Sequence, residues 1–471
     1  MYTDTIAAIA TALSPSGIGI IRISGDDAVE VADKVFRSKS GKKLSEVKSH
    51  TIHYGFVCDE EEVIDEVMVL LMKAPNSFTK EDTVEIDCHG GVYVMNRILK
   101  TVLKNGARLS EPGEFTKRAF LNGRIDLTKA EAIMDLIQSK NEAARKNSMT
   151  HLKGDLYRKI KNLREEIIYE IAFIESALDD PEHISLDGFH ERLEEKSDKI
   201  IQAIEGLLKS ADNGKLIKEG IYTVIVGKPN AGKSSFLNLL LGEERAIVTD
   251  IAGTTRDTLE ESVHLDGMTL NLIDTAGIRD TEDIVEQIGV NKAKESLEKA
   301  DLMVYIVDSS VYLDENDMEI IKLLDASKTV VLLNKSDLDT VVTEEDIKDI
   351  FMKRFAGSED KNASEIPDFL TISAKEEEGL EAFTNLIKEK FFNGKLTFDD
   401  EVTISSMRQK EALSSALHSM KMVKQSLMDD MPEDFYSIDL MNAYACLGEI
   451  IGEEVGEDLV NEIFSKFCMG K

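Results

Sequence analysis

The run Ile221-Tyr-Thr-Val-Ile-Val-Gly227-Lys-Pro-Asn230-Ala231-Gly232-Lys233-Ser234-Ser235 leaves this chain few folds to choose from. A β-rich apolar segment breaks into glycine and then into lysine and hydroxyls, and Phe236-Leu-Asn-Leu-Leu-Leu241 continues as a helix. The order is strand, phosphate loop, helix. The glycines let successive backbone N–H groups curl around a polyphosphate, Lys233 reaches its β/γ oxygens, and Ser234 offers a hydroxyl to Mg²⁺ at a helix N-terminus that favours anions. Residues Asn230 to Ser235 are therefore expected to line a nucleotide.

Three further blocks follow in the order a nucleotide site requires. Asp274-Thr275-Ala276-Gly277 comes after the apolar run Thr269-Leu-Asn-Leu-Ile273, which puts a carboxylate at a strand end, where it can hold a Mg²⁺-bound water while the Gly277 N–H approaches the γ-phosphate. Asn334-Lys335-Ser-Asp337 follows Thr329-Val-Val-Leu-Leu333. An aspartate there accepts both guanine N–H donors, whereas adenine would leave the charge unpaired, so the reading is GTP over ATP. Ser373-Ala374-Lys375 follows Phe369-Leu-Thr-Ile372, and the Ala374 N–H can meet the guanine oxygen. Together the four blocks resemble the Ras-like GTPase superfamily over roughly 221–391. That resemblance says little about what hydrolysis is used for.

At 471 residues and 42% hydrophobic content the chain suffices for roughly two or three packed domains. With 89 acidic against 56 basic residues its formal charge is −33, so any nucleic acid must be held by a local basic patch or a partner. Cys58, Cys88, Cys446 and Cys468 share no metal-ligand spacing and suit a reducing compartment. Asp4, Pro15, Gly17 and Gly19 interrupt the apolar start, and no stretch approaches about 18 unbroken apolar residues. The expectation is a cytoplasmic protein with no membrane association.

The patterning predicts a multidomain α/β and α chain. Residues 1–120 alternate strands (Ile18 to Ile23, Ile52 to Val57, Val67 to Met72, Thr83 to Cys88) with helices (Ala28 to Phe36, Val92 to Leu103), a small α+β N-terminal domain. Arg22 and Glu85 stand in otherwise apolar strands, and either pair with each other or face a pocket. His89-Gly90-Gly91 joins strand to helix, either as free backbone donors for a ligand or as an αL cap. Helical patterns run over Leu127 to Lys146, Met149 to Leu178 and Glu191 to Lys209, then resume at Ser405 to Met428, Tyr436 to Gly452 and Asp458 to Phe467. Neither set closes a core alone. We expect one discontinuous helical domain, 121–215 and 393–471, carrying an inserted Ras-like P-loop GTPase domain at 216–392, with joints at Asp212-Asn-Gly214 and Phe392-Asn-Gly394.

Ras-type enzymes orient the attacking water with a glutamine directly after the Asp-x-x-Gly block. Here that position is Ile278. The Asn230 side-chain oxygen, together with backbone carbonyls of Thr249-Asp250-Ile251-Ala252-Gly253-Thr254-Thr255, suits a hard monovalent cation where a guanidinium otherwise sits. Thr255 would be the second hydroxyl on Mg²⁺. For the water the candidates are Glu282, Asp283 and Glu286, and Arg256 and Arg279 remain possible fingers.

Five marks extend a resemblance from first residue to last: Gly19-Ile-Ile-Arg22-Ile-Ser-Gly25; Pro112-Gly-Glu-Phe115 with Arg118-Ala-Phe-Leu-Asn-Gly-Arg124; the phosphate loop; Thr249-Asp-Ile-Ala-Gly-Thr-Thr-Arg-Asp257; and Phe467-Cys468-Met-Gly-Lys471. With these the chain resembles the MnmE (TrmE) family of tRNA-modification GTPases. The resemblance implies a tetrahydrofolate-binding N-terminal domain through which members form a homodimer. It also implies an FAD-dependent partner, MnmG, in a heterotetramer or larger complex, and tRNA as the substrate, with an aminomethyl or carboxymethylaminomethyl group added at C5 of the wobble uridine. A formyl- or methylene-tetrahydrofolate would supply the carbon. Carried over by motif, K⁺ falls to Asn230, Thr249, Ile251 and Thr254, and Mg²⁺ to Ser234 and Thr255. Glu286 would orient water, and Arg22, Glu85, Arg124 and Lys471 would contact folate. Cys468 matches a near-terminal family cysteine, redox-active or a bystander thiol. The tail carries methionine where isoleucine is more usual, and Arg124 stands where some members have lysine.

A different class of reading is a regulatory GTPase switch bound to RNA or ribosomes. Such proteins usually append a basic module, and no such segment occurs here. Glu286→Ala is expected to abolish GTP hydrolysis while nucleotide affinity survives; loss of affinity in an equilibrium titration would assign Glu286 to structure instead.

Overall fold

The computed structural model describes residues 4–180, 182–183, 187–242, 261–273, 297–355, 366–392, 402–467 and 470. Among these the chain divides into two units, one of residues 1–137, 148–204 and 411–471, the other of 138–147 and 205–410.

The first unit holds a seven-stranded sheet. Its strands are β1 (Ile6–Ile9), β2 (Ser16–Ser24), β3 (Phe36–Ser38), β4 (Thr51–Asp59), β5 (Glu62–Met72), β6 (Thr83–Gly90) and β7 (Arg108–Leu109), in the order β3-β4-β5-β6-β2-β1-β7. All neighbours are antiparallel except β1 and β7. Alternation decides the faces: Ile21, Ile23, Val84 and Ile86 point into the core with the helices Ala28–Val35 and Val92–Lys104, which sends Arg22 and Glu85 to the other side. β1 was not legible in the periodicity, because four residues between Asp4 and the small residues after Ile9 carry too little alternation.

His89-Gly90-Gly91 does not form an αL cap. Gly91 caps the helix Val92–Lys104 at its N-terminus with φ −73°. Gly90 is still sheet, and a Cβ there would lie 2.5 Å from the Ser16 carbonyl oxygen. The His89 N–H donates to Asp65 at 2.8 Å, so it is not free for a ligand. Glycine is needed for close approach of two strands, not for a left-handed turn.

The helices of this unit are shorter than the periodicity suggests. The two runs expected at Leu127 to Lys146 and Met149 to Leu178 become three helices, Leu127–Gln138, Glu142–Leu152 and Asp155–Asp179. One break follows from Asn141, whose side chain accepts the Ala144 N–H at 2.7 Å, a helix-start arrangement that competes with continuing the previous helix. Another follows from Gly154 at φ 87°. The helix Asp155–Asp179 packs against Glu433–Ile451, and Leu127, Ala130 and Met134 form a core with Val460, Phe464 and Phe467. Helical residues from before and after the GTPase blocks therefore pack together within the first unit.

The second unit contains a six-stranded sheet, β8 (Ile221–Val226), β9 (Glu261–Leu265), β10 (Met268–Leu272), β11 (Leu302–Asp308), β12 (Thr329–Asn334) and β13 (Asp368–Thr371), ordered β13-β12-β11-β8-β10-β9. It is parallel except for the β9–β10 hairpin and is covered by apolar clusters on both faces. β11 is buried along its whole length, the form a central parallel strand takes. The motifs did not mark it.

One expected joint is absent. Asp212-Asn-Gly214 lies inside the continuous helix Phe189–Glu219, which ends instead at Gly220, φ 87°, one residue before β8. Gly214 serves contact, not flexibility: a Cβ would fall 1.9 Å from the Ile404 carbonyl oxygen. Gly214→Ala should destabilise this unit by about 1–3 kcal/mol through overpacking against backbone; equilibrium urea unfolding checks it, and an unchanged midpoint would show that the approach relaxes freely.

Candidate functional site

The nucleotide cleft is built at the carboxyl ends of β8 and β12. Gly227, the first residue after β8, has φ 153°, and a Cβ there would sit 2.4 Å from the Ile306 carbonyl of β11, so only glycine lets the loop leave the sheet here. Asn230 follows in the left-handed region at φ 61°, which asparagine tolerates better than most residues, with an exposed side chain. Gly232, φ 102°, would place a Cβ 2.0 Å from Asn334 Nδ2. The loop and β12 are thus pressed together at a position where any side chain collides.

Asn334 does more than approach. Its Nδ2 donates to the Ala231 carbonyl at 2.8 Å and its Oδ1 accepts the Ala374 N–H at 3.0 Å, from a side chain almost fully buried. One amide therefore couples the phosphate loop, β12 and the Ser373-Ala374-Lys375 loop. Asn334 is expected from sequence to touch nucleotide; within the protein it is the clamp that sets phosphate end against base end.

The base end follows. Asp337 Oδ1 accepts from Ser373 Oγ at 2.8 Å, and Lys375 lies 3.7 Å from Oδ2, so one carboxylate oxygen faces the cleft with few protein donors. The Ser373 hydroxyl, with Lys375 nearby, holds this carboxyl below the usual aspartate range. Asp337 is thus anionic at any pH near neutrality, as acceptance of two guanine N–H groups demands. Lys335 turns back at φ 65° and donates to Asp308 at 2.5 Å. Asp308 ends β11 and holds Lys335 at the cleft, a partner the motif reading missed. Its signal would have been an aspartate closing the apolar run Leu302-Met-Val-Tyr-Ile-Val307. Leu338, 51% exposed, lines the same cleft, which has a volume of about 750 Å³, a size that suits a nucleotide.

At the phosphate end Lys233, first residue of the helix Lys233–Gly242, is buried, and its ammonium donates to the Gly227 and Lys228 carbonyls at 2.8 and 2.7 Å. Burial pushes its pKa down to about 8. Ser234 and Ser235 are exposed in the first turn of that helix, where hydroxyls and backbone N–H groups meet an anion. Thr249, Asp250, Ile251, Ala252, Gly253, Thr254 and Thr255 lie outside the described residues, as do Asp274, Thr275, Ala276, Gly277, Glu282, Asp283 and Glu286 and the arginines Arg256 and Arg279.

A second cluster forms on the sheet of the first unit. Arg22 and Glu85 face each other in register across β2 and β6, and Nε donates to the carboxylate at 2.7 Å, so the alternative in which they pair is realised. Arg22 Nη1 also donates to the Gly470 carbonyl at 3.1 Å. Lys471 and Cys468 themselves lie outside the described residues. The Arg22 guanidinium stands 5.7 Å from the Phe78 ring and that of Arg124 stands 4.8 Å from it. Arg124 also donates to the Phe78 carbonyl at 2.9 Å. Two of the three described residues expected to bind folate thus converge on one aromatic ring, and the third, Glu85, is paired with Arg22. Among the described residues no group of three or more His, Cys, Asp or Glu side chains could hold a metal, and no helix is long and apolar enough to cross a membrane.

With these geometries in hand the comparisons are specific. The family description "GTP-binding protein TrmE N-terminus" matches residues 5–124, and "MnmE helical domain" matches 127–468. A Lachnoclostridium phytofermentans protein named tRNA modification GTPase MnmE is 56% identical over 472 residues, covering 100% of both chains. Proteins of the same name from Clostridioides difficile and Lactobacillus gasseri are 46% and 45% identical, each over 99% of this chain and over 99% and 98% of their own. Among solved structures, Era in complex with MgGDPNP and a 16S ribosomal RNA segment is 27% identical over 43% of this chain and 67% of its own, at a TM-score of 0.26, too loose a likeness to argue from.

The state of Lys233 yields a pH dependence. Its folded pKa lies below the ordinary lysine value near 10.5, so the ammonium that attracts phosphate is present below about pH 8 and is lost above it. Affinity for a non-hydrolysable GTP analogue should fall roughly fivefold between pH 8 and 9; a flat binding profile from pH 7 to 9 would contradict it.

Proposed function

The chain belongs to the MnmE (TrmE) family of GTPases, and from that premise we propose that it is a potassium-activated GTPase acting in tRNA modification. With an FAD-dependent partner, MnmG, it adds an aminomethyl or carboxymethylaminomethyl group to C5 of the wobble uridine, using a folate one-carbon unit. The observation that carries the GTP half is the Asn334 bridge, which sets the Asp337 carboxylate and the Ala374 loop at one end of a cleft and Lys233 at the other. That pairing discriminates guanine from adenine while presenting a cation to phosphate.

Within this reading the protein's own groups divide the work. Lys233 draws the β- and γ-phosphates, and the first turn of its helix supplies N–H donors that exclude competing water. Ser234, exposed in that turn, suits one coordination position of Mg²⁺, with Thr255 the second. The exposed Asn230 side chain offers a neutral amide oxygen, the hard donor a K⁺ ion takes, with Thr249, Ile251 and Thr254 as its further ligands. When bound, these cations offset charge that grows between the phosphates as the bond breaks. Glu286 orients the attacking water.

The second cluster fits a folate. Two guanidiniums flanking one phenyl ring match a ligand that carries carboxylates and a flat aromatic system, and Glu85 keeps an acceptor beside Arg22 for ring N–H groups. Bound there, the folate would supply one carbon at the formyl or methylene level. The homodimer, formed through the N-terminal domain, and MnmG complete the assembly, and tRNA is held despite the charge of −33 by local contacts or by the partner. Cys468 remains a candidate redox or structural thiol.

Nucleoside mass analysis of wobble uridines in a strain lacking this chain tests the reading; loss of the C5 modification is expected, and an unchanged profile would leave the RNA- or ribosome-associated switch in its place. Arg22→Ala should weaken reduced-folate binding by about tenfold or more while GTP turnover persists, measured by titration and by phosphate release on one preparation. Joint loss of both would argue against a separate folate site.

A further inference from the structure

The outer limb of the phosphate loop is held by a buried acid that none of the nucleotide motifs contains. Asp317 lies in the helix Glu315–Leu323 and is 1% exposed. Its Oδ1 accepts from the Tyr305 hydroxyl at 2.8 Å, and its Oδ2 accepts from the Asp314 N–H at 2.9 Å and lies 2.6 Å from Lys228 Nζ. Asp314, which caps that helix, accepts from the same Nζ at 3.0 Å. Tyr305 is fully buried in β11, opposite Val226, the last residue of β8 before the loop begins.

The contacts form a continuous line into the cradle. Tyr305 fixes Asp317, Asp317 fixes Lys228, and the Lys228 carbonyl accepts the Lys233 ammonium at 2.7 Å and the Ala231 N–H at 3.3 Å. Between Lys228 and Ala231 stand Pro229 and Asn230, the segment that turns through φ 61°. A carboxylate buried to this degree needs its cation, so Lys228 is committed to Asp317 and is not spent on phosphate. On the other side Asn334 grips Ala231, so the limb is held from both flanks.

We propose that Asp317 is a positioning residue for the phosphate loop, acting through Lys228 to hold the limb that carries Asn230 and the carbonyl facing Lys233 in its binding geometry. The role is pre-organisation: with the loop already shaped, nucleotide binding does not have to order it. It rests on the reading of this loop as the cradle for the phosphates of GTP.

Asp317→Asn in the full-length chain keeps acceptor and shape but removes the buried one of the two charges that hold Lys228. The KM for GTP and the Kd for a fluorescent GDP analogue should each rise about tenfold, with kcat within about twofold of wild type. Lys228→Met should reproduce the loss, Lys228→Arg should retain near wild-type affinity, and the double variant Lys228→Met/Asp317→Asn should bind no more weakly than either single one. A folded Asp317→Asn protein with unchanged KM and only a lower melting temperature overturns the proposal, as does an additive double variant. If Asp317→Asn does not fold, Lys228→Met against Lys228→Arg decides, and equal affinities of the two overturn it. A wild-type chain that binds no GTP would overturn the cleft reading together with this one, whereas variants that all match a GTP-binding wild type overturn the positioning role alone.

Discussion

The nucleotide cleft depends on one side-chain amide. Asn334 is the only group among the described contacts that touches both the phosphate loop and the base loop, and it does so with donor and acceptor both satisfied in a nearly dry interior. An amide is suited to this because it offers both polarities from one rigid plane. The close approach it makes to Gly232 explains why that glycine cannot be replaced by a residue with a side chain, quite apart from its left-handed backbone. The separation of the phosphate loop from the base loop is thereby set by covalent geometry and two hydrogen bonds.

The first unit solves a different problem, how to keep charge inside a small sheet domain. Arg118 is fully buried and is paired with Asp4, Glu81 and Glu114, while Arg108 pairs with Asp4 and Glu114. Because several partners share each charge, these residues bind the N-terminal segment, β6's approach and the helix Glu114–Leu121 into one network. Arg22 and Glu85 lie on the same side of the sheet's organisation but are only partly buried, with 17% and 16% of their side chains exposed.

Much of the fold was legible because patterns of two and of three to four residues survive wherever one face is buried. The strands at β2, β4, β5 and β6 and the terminal helices fell close to where periodicity put them. Misreadings came where the decisive contact is remote in sequence. Asp212-Asn-Gly214 looks like a linker by composition, yet Ile404 packs against Gly214 and the segment stays helical. His89-Gly-Gly looks like a cap or a ligand loop, yet Ser16 and Asp65 claim its backbone. Local chemistry cannot report a partner dozens or hundreds of residues away.

The sequence alone pointed to a GTPase, because each block carries its expected role in its own residues: glycines for backbone donors, Lys233 for phosphate, Asp337 for guanine. It also determined that Arg22 and Glu85 required an explanation. Only the tertiary structure decided that Asn334 joins the two ends of the cleft, that Asp308 engages Lys335, and that Asp317 reaches the loop through Lys228. The reason is physical. A motif is a run of neighbours along the chain, whereas a buried amide or carboxylate is satisfied by whichever donors the parallel sheet and its covering helices bring within about 3 Å of it.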